Sequence, residues 1–194
     1  MKTIFFDVDT QLDFLYPAGA LPVPGAEQII DSLGALTEFA VSHRIPILST
    51  IDAHSEDDPE FKIYKPHCVI GTTGQKKAAA TLLNRHEVLT SAPGAFDHVR
   101  EAPQILVEKQ KLDCFTNPNL RPLLDRLKPE RYVVYGVATE LCVRCAVFGL
   151  LSTGAEVELV TDGIKSLNAA AAPKMLERFE TEGGRLVTVS AVTV

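Results

Sequence analysis

Apolar residues along the chain gather in six short runs, separated by stretches in which they recur every three or four positions. Thr3–Val8, Ile45–Ile51, Gln104–Val107, Tyr132–Tyr135, Glu156–Val160 and Arg185–Val189 are near-continuous in hydrophobic character. A strand that is apolar on both faces is covered on both, which is the condition of a buried parallel sheet. Between the runs, Ala26–Ser42 places Ile29, Ile30, Leu33, Leu36 and Phe39 on one helical stripe, and Asn117–Arg126, Leu141–Ser152 and Ala170–Glu182 repeat the pattern. Strands alternating with helices predict an α/β fold, a doubly wound and mainly parallel six-stranded sheet with helices on both faces, formed as a single domain over residues 1–194. Ligands of such sheets bind beyond the carboxyl ends of the strands, so function is expected in the loops that follow strands.

One segment breaks the alternation. Asp52–Pro103 is long and rich in Pro, Gly, Asp and His, with a strand signal only at Glu87–Thr90, and a loop of that length inside a compact domain is usually functional. It follows the second strand and is expected to arch over the carboxyl-end face. Composition narrows the partner. A net charge of −6 with scattered Lys and Arg excludes the basic stripe that nucleic acid or an anionic membrane requires, leaving a small molecule. No apolar run approaches the roughly 18 residues of a membrane span, and Met1-Lys-Thr leads straight into a strand, so a cytoplasmic chain is expected. The four cysteines show no dense spacing and read as reduced thiols. Association of identical chains stays open.

The strongest chemical signal is Tyr132–Cys145, YVVYGVATELCVRC. A buried strand ends in small residues and delivers Cys142 to the first turn of the next helix. Unpaired N–H groups and the positive end of the helix dipole lie there; both favour a thiolate, and the same N–H groups can hold an oxyanion. Asp9 and Lys109 stand at the ends of two other strands. Together the three make a nucleophilic trio, in which Asp9 takes the Cys142 proton and returns it to the leaving group while Lys109 holds the carboxylate. A sheet-end salt bridge beside a core cysteine fits the same spacing.

With these residues in place, the chain resembles the isochorismatase-like cysteine hydrolases, and within them the nicotinamidase group. DTQLDF (Asp9–Phe14) is similar to the family's D-x-Q-x-D-F, VEK (Val107–Lys109) to its lysine block, and GVATELCV (Gly136–Val143) to its G-V-x-T-D-x-C-V block. The resemblance implies a Rossmann-like three-layer fold, Asp9 and not Asp7 as the catalytic aspartate, a cis peptide at Val137–Ala138, and oxyanion donors at the backbone of Ala138 and Cys142. It also gives the long loop a purpose. Asp52-Ala-His54, then KPHC (Lys65–Cys68) and GTTG (Gly71–Gly74), look like the nicotinamidase D-x-H … P-H-C-x-x-G-T-x-G arrangement. Asp52 and His54, two apart on an extended chain, point the same way, and His67 completes a two-His-one-carboxylate set for one divalent metal, zinc first, iron or manganese otherwise. Where the group often has a further His, this chain has Glu60, a fourth ligand or a residue just behind the ligands. Phe14 and Tyr64 are placed to sandwich a ring, with Val137 and Ala138 beside it. The implied reaction is nicotinamide hydrolysis through a thioester; another small amide, a ureido or a vinyl-ether compound is the alternative. Glu140 replaces the family's usual Asp, and Tyr64 its frequent Trp.

Two motifs point elsewhere. FFDVDTQL (Phe5–Leu12) is similar to the D-x-D-x-T block of haloacid-dehalogenase-type phosphatases, which would make Asp7 a nucleophile, although the usual Gly before Thr and a late acidic pair are missing. Cys142-Val-Arg-Cys145 is a C-x-x-C at a helix start, as in dithiol oxidoreductases, with Cys145 expected to face the core. A non-catalytic binding protein on the same scaffold is a third reading. His43, His86 and His98 match no block and are expected at the surface, and Asp162 is expected to brace a loop or cap a helix.

Overall fold

Every predicted run becomes a strand in the computed structural model, which describes residues 1–94 and 102–194. The strands are β1 (Thr3–Val8), β2 (Ile47–Asp52), β3 (Glu87–Leu89), β4 (Gln104–Lys109), β5 (Arg131–Val137), β6 (Glu156–Lys165) and β7 (Arg185–Val187). The sheet has seven strands and not six, because Glu87–Leu89 pairs in parallel with Ile105–Val107 and forms the edge. The order is β3-β4-β2-β1-β5-β6-β7, and every pairing between these strands is parallel. The chain winds outward in both directions from β1, so the point where it reverses lies between β1 and β5, the crevice in which such sheets bind ligands.

Strand alternation explains the continuous hydrophobic runs. Ile4, Phe6 and Val8 enter one core layer and Phe5 the other. Helices α3 (Leu120–Leu127), α4 (Arg144–Leu151) and α5 (Ala172–Thr181) cover the first face through Leu123, Val147, Leu150 and Phe179. Helix α2 (Ile30–Ser42), entered through a 3₁₀ turn at Ala26–Ile29, covers the second with Leu33 and Leu36 and is joined there by the short α6 (Val189–Val192). A further short helix, α1 (Leu12–Leu15), follows β1. No helix among the described residues is long and apolar enough to cross a membrane.

Two local departures bear on the site. The helix expected from Leu141 begins instead as a π-helical turn, Thr139–Val143, before α4. Val143 N–H reaches Ala138 O and Arg144 N–H reaches Thr139 O; such wide turns recur at functional sites. Asp162 lies within β6, and its Oδ1 accepts from Val189 N at 2.8 Å, bracing the start of α6. His43 is exposed and His86 is half-buried, bonded to Leu83 O, while His98 falls outside the described residues.

Candidate active site

Register brings the predicted trio together. Val8 pairs with Gly136 on one side and Thr50 on the other, and Asp52 pairs with Lys109, so β1, β2, β4 and β5 end at nearly one level. Gly136 has φ 118°, and a Cβ there would sit 2.1 Å from Val8 O, so only glycine lets β5 run this close to β1. Asp9 takes a left-handed φ of 51°, turning the chain out of the strand. Lys109 Nζ then lies 2.9 Å from Asp9 Oδ2, 2.5 Å from Asp52 Oδ1 and 3.5 Å from Cys142 Sγ, all four side chains being buried. Thr50 Oγ1 donates to the other Asp9 oxygen at 2.6 Å.

The electrostatics differ from the sequence expectation in one respect. Burial pushes the Cys142 thiol well above its ordinary value, and the Lys109 ammonium does not overcome it, so the resting sulfur is protonated and needs a base. A helix start was expected to favour the thiolate; desolvation inside the closed sheet end wins instead. Burial also raises the Asp9 carboxyl, opposed by Lys109 and reinforced by Asp52. Lys109, despite burial, is held firmly as the ammonium by Asp52 and Asp9.

Asp52 has a second task. Its Oδ2 stands 3.8 Å from His54 Nε2 and 3.8 Å from His67 Nε2, and ligand atoms of the three residues fall within 4.8 Å of one another. His54 Nδ1 donates to Asp58 Oδ2 at 3.0 Å and His67 Nδ1 to the Lys65 carbonyl at 2.7 Å, which leaves each Nε2 as the free lone pair. His54 Nε2 is buried and has no hydrogen-bond partner. A buried orphan of that kind, facing a carboxylate and a second imidazole, fits a divalent cation of the zinc, iron or manganese type. Glu60 lies outside this compact set but borders the same pocket, its carboxyl pushed up by burial and by Asp52.

The pocket is narrow, with a cavity volume of about 30 Å3. Phe14, Tyr64, Val137 and Ala138 line it together with Cys142, Asp9 and Asp52. The Val137–Ala138 peptide is cis. Phe14 packs on His67 at 5.3 Å between ring centroids and Tyr64 on the same ring at 6.4 Å, so both aromatics brace a candidate ligand as well as wall the pocket.

Three supporting residues escaped the sequence reading. Asp58 orients His54; its position four residues on, before a proline, was the available signal. Gln11 locks Asp52, its Nε2 donating to Asp52 O at 2.8 Å and its Oε1 accepting Asp52 N at 2.7 Å. Asp13 accepts Cys68 N at 2.7 Å and Ala20 N at 2.9 Å, which fixes the turn carrying His67, and Gly74 makes room for it because a Cβ there would lie 2.1 Å from Asp13 Oδ1. The phosphatase reading fails on geometry. Asp7 is fully buried, its Oδ2 is shared by Lys77, Thr10 and Ser49, and it does not line the pocket that Asp9 borders. Cys145 does not face the core; it is half-buried and borders an outer groove with Arg144 and Arg178.

A doubly wound sheet whose switch point holds a buried Asp-Lys-Cys cluster beside a two-His-one-Asp set defines a class of cysteine hydrolase. Residues 3–191 match the family model described as the isochorismatase domain, and the chain belongs to the isochorismatase family as a hydrolase. It is 25% identical to the nicotinamidase of Escherichia coli K12 over 189 residues, spanning 83% of this chain and 82% of that protein. A protein of Arabidopsis thaliana described as a probable inactive nicotinamidase is 21% identical over 184 residues, 90% of this chain and 84% of that one. Among solved structures, the pyrazinamidase of Pyrococcus horikoshii in complex with zinc superposes with a TM-score of 0.82 at 25% identity, covering 97% of this chain and 99% of that one.

Proposed function

We propose that this chain is a metal-assisted cysteine amidohydrolase whose substrate is nicotinamide, released as nicotinate and ammonia, and that it serves pyridine nucleotide salvage in the cytoplasm. The observation that carries the reading is that Asp9 and Cys142, both in contact with Lys109 behind them, line one pocket together with Asp52 and His67. In this reaction Asp9 accepts the Cys142 proton as the sulfur bonds to the amide carbon, and the carbonyl oxygen gains the electron pair against the N–H groups of Ala138 and Cys142. Asp9 passes the proton to the nitrogen; the C–N bond breaks and ammonia leaves a thioester. Water enters, gives its proton to Asp9 and attacks the same carbon, and the departing sulfur takes that proton back. Lys109 keeps Asp9 aligned and offsets negative charge throughout. Asp52, His54 and His67, with Glu60 as fourth ligand or just behind them, would hold a divalent cation, which would supply a Lewis-acid anchor for the pyridine nitrogen. Phe14 and Tyr64 hold the ring.

The test is ammonia release from nicotinamide, pyrazinamide and ureido compounds, together with turnover of a vinyl ether and metal analysis of the purified protein. Nicotinamide is expected to lead, Cys142→Ala to abolish turnover, and chelation to raise KM far more than it slows alkylation of Cys142. Full activity in Cys142→Ala removes the cysteine mechanism. Unchanged hydrolysis after exhaustive chelation removes the metal role, and preference for a ureido or vinyl-ether substrate reassigns the enzyme within its family.

A further inference from the structure

Two cavities meet at Leu167. The reactive pocket is bordered by Val23, Ala138 and Leu167; an outer groove is bordered by Pro24, Thr139 and Leu167. At two points consecutive residues border the two spaces, and among the described residues Leu167 alone borders both. Leu167 stands in the loop 166–171 that joins β6 to α5. That loop closes on itself at Asn168, whose Oδ1 accepts Ala170 N at 3.1 Å and whose carbonyl accepts Ala171 N at 3.0 Å.

The closed turn is tied to the nucleophile's segment by Glu140. Asn168 N donates to Glu140 Oε1 at 2.5 Å, a short bond of the charge-assisted kind. The other oxygen, Oε2, is buried without a hydrogen-bond partner. Such an orphan costs stability, so the carboxylate is poorly explained as a stabilising group and calls for another role. Its own backbone is fixed, since it belongs to the turn Thr139–Val143 and its carbonyl accepts Arg144 Nε at 2.9 Å.

We propose that Glu140 is a positioning residue that sets the size of the reactive pocket: by holding Asn168 it latches Leu167 as the partition and restricts the enzyme to compact, single-ring amides. With the latch broken, the pocket joins the outer groove and admits extended substrates. The inference rests on the assignment of Cys142 as the nucleophile and deepens it.

The test measures access to Cys142 directly, using the full-length protein with the metal it carries when purified. Alkylation by iodoacetamide is compared with alkylation by its N-(1-naphthyl) analogue, and peptide mass spectrometry assigns the label among the four cysteines. The naphthyl-to-parent rate ratio is expected to rise by about tenfold or more in Glu140→Ala and in Leu167→Ala, and to stay within about twofold of wild type in Glu140→Gln, whose amide oxygen still accepts from Asn168. In steady state, Glu140→Ala should raise KM for nicotinamide with kcat largely kept, and should gain turnover of quinoline-3-carboxamide. An unmoved ratio in folded Glu140→Ala overturns the latch, as does a Glu140→Gln variant that shifts as far as the alanine. Leu167→Ala tests the partition even if the alanine at 140 does not fold, and a constant ratio there overturns the proposal too. If the ratios move as expected while no amide is hydrolysed, the latch stands and the nicotinamidase reading falls.

Discussion

Two buried aspartate–lysine pairs flank one residue of β1, and they behave in opposite ways. Asp7 bonds Lys77 at 2.5 Å, and the same oxygen receives Thr10 and Ser49. Asp9 bonds Lys109 at 2.9 Å, but Lys109 continues to Asp52 and to the Cys142 sulfur. The first pair ends in the core. The second opens onto a pocket and a thiol that burial keeps protonated. A buried ion pair alone therefore says little about chemistry; what matters is whether one partner can exchange a proton with something that reacts. Alternation would place Asp7 and Asp9 on the same face of the strand. The left-handed turn at Asp9 separates them.

The comparison can be broken most sharply at Asp9. Asp9→Asn is expected to lower kcat/KM by about 10²–10⁴-fold while ligand affinity and fold persist, as removal of a general base does; near-normal single-turnover acylation in that variant would move the proton transfer to another group. Asp7→Ala should do the reverse. It strands Lys77 in the interior and is expected to cost about 3–5 kcal/mol in urea unfolding, with turnover per folded molecule retained, and Asp7→Ala with Lys77→Met should recover much of the loss. Phosphatase activity that vanished with Asp7→Asn would reverse the roles of the two pairs.

Asp58→Ala sharpens the picture at the metal end. Without its carboxylate the His54 Nδ1 proton loses its acceptor, and zinc affinity by calorimetry should fall about 10–100-fold with Cys142 still alkylated at the normal rate. The smallest effect is in pH. In the proposed mechanism Asp9 must be ionised to accept the thiol proton, and burial raises its carboxyl above the ordinary aspartate value of 3.8. Activity is therefore complete above that raised value and lost as pH falls through it, so the acid limb of kcat/KM should lie higher than an ordinary aspartate's and disappear in Asp9→Asn. A limb at or below 3.8 would contradict the burial effect.

Much of this arrangement was legible before any coordinates. The apolar runs placed six strands, β6 running on to Lys165, and the resemblance of their blocks singled out Asp52, His54 and His67, whose candidate ligand atoms the fold brings within 4.8 Å. The three-residue edge strand Glu87–Leu89 was weaker, because so short a run carries little periodicity and draws its pairing from Ile105–Val107. The π turn before α4 was invisible, since helix and π turn share one hydrophobic pattern. Gln11 and Asp13 read only as motif letters. Their work depends on Asp52 and Cys68, which the chain delivers to them from 41 and 55 residues away.

Local pattern by itself determined the alternation of strands and helices and the covered parallel sheet, because periodicity is a property of neighbouring residues, and the family resemblance of short blocks marked the candidate nucleophile and the candidate metal ligands. The tertiary structure decided which of two aspartates faces the thiol, that Asp52 serves both Lys109 and the histidines, and that Cys142 rests as a thiol. Those outcomes depend on distances between segments remote in sequence and on how completely water is removed from the sheet end, and neither quantity is written in any single stretch of the chain.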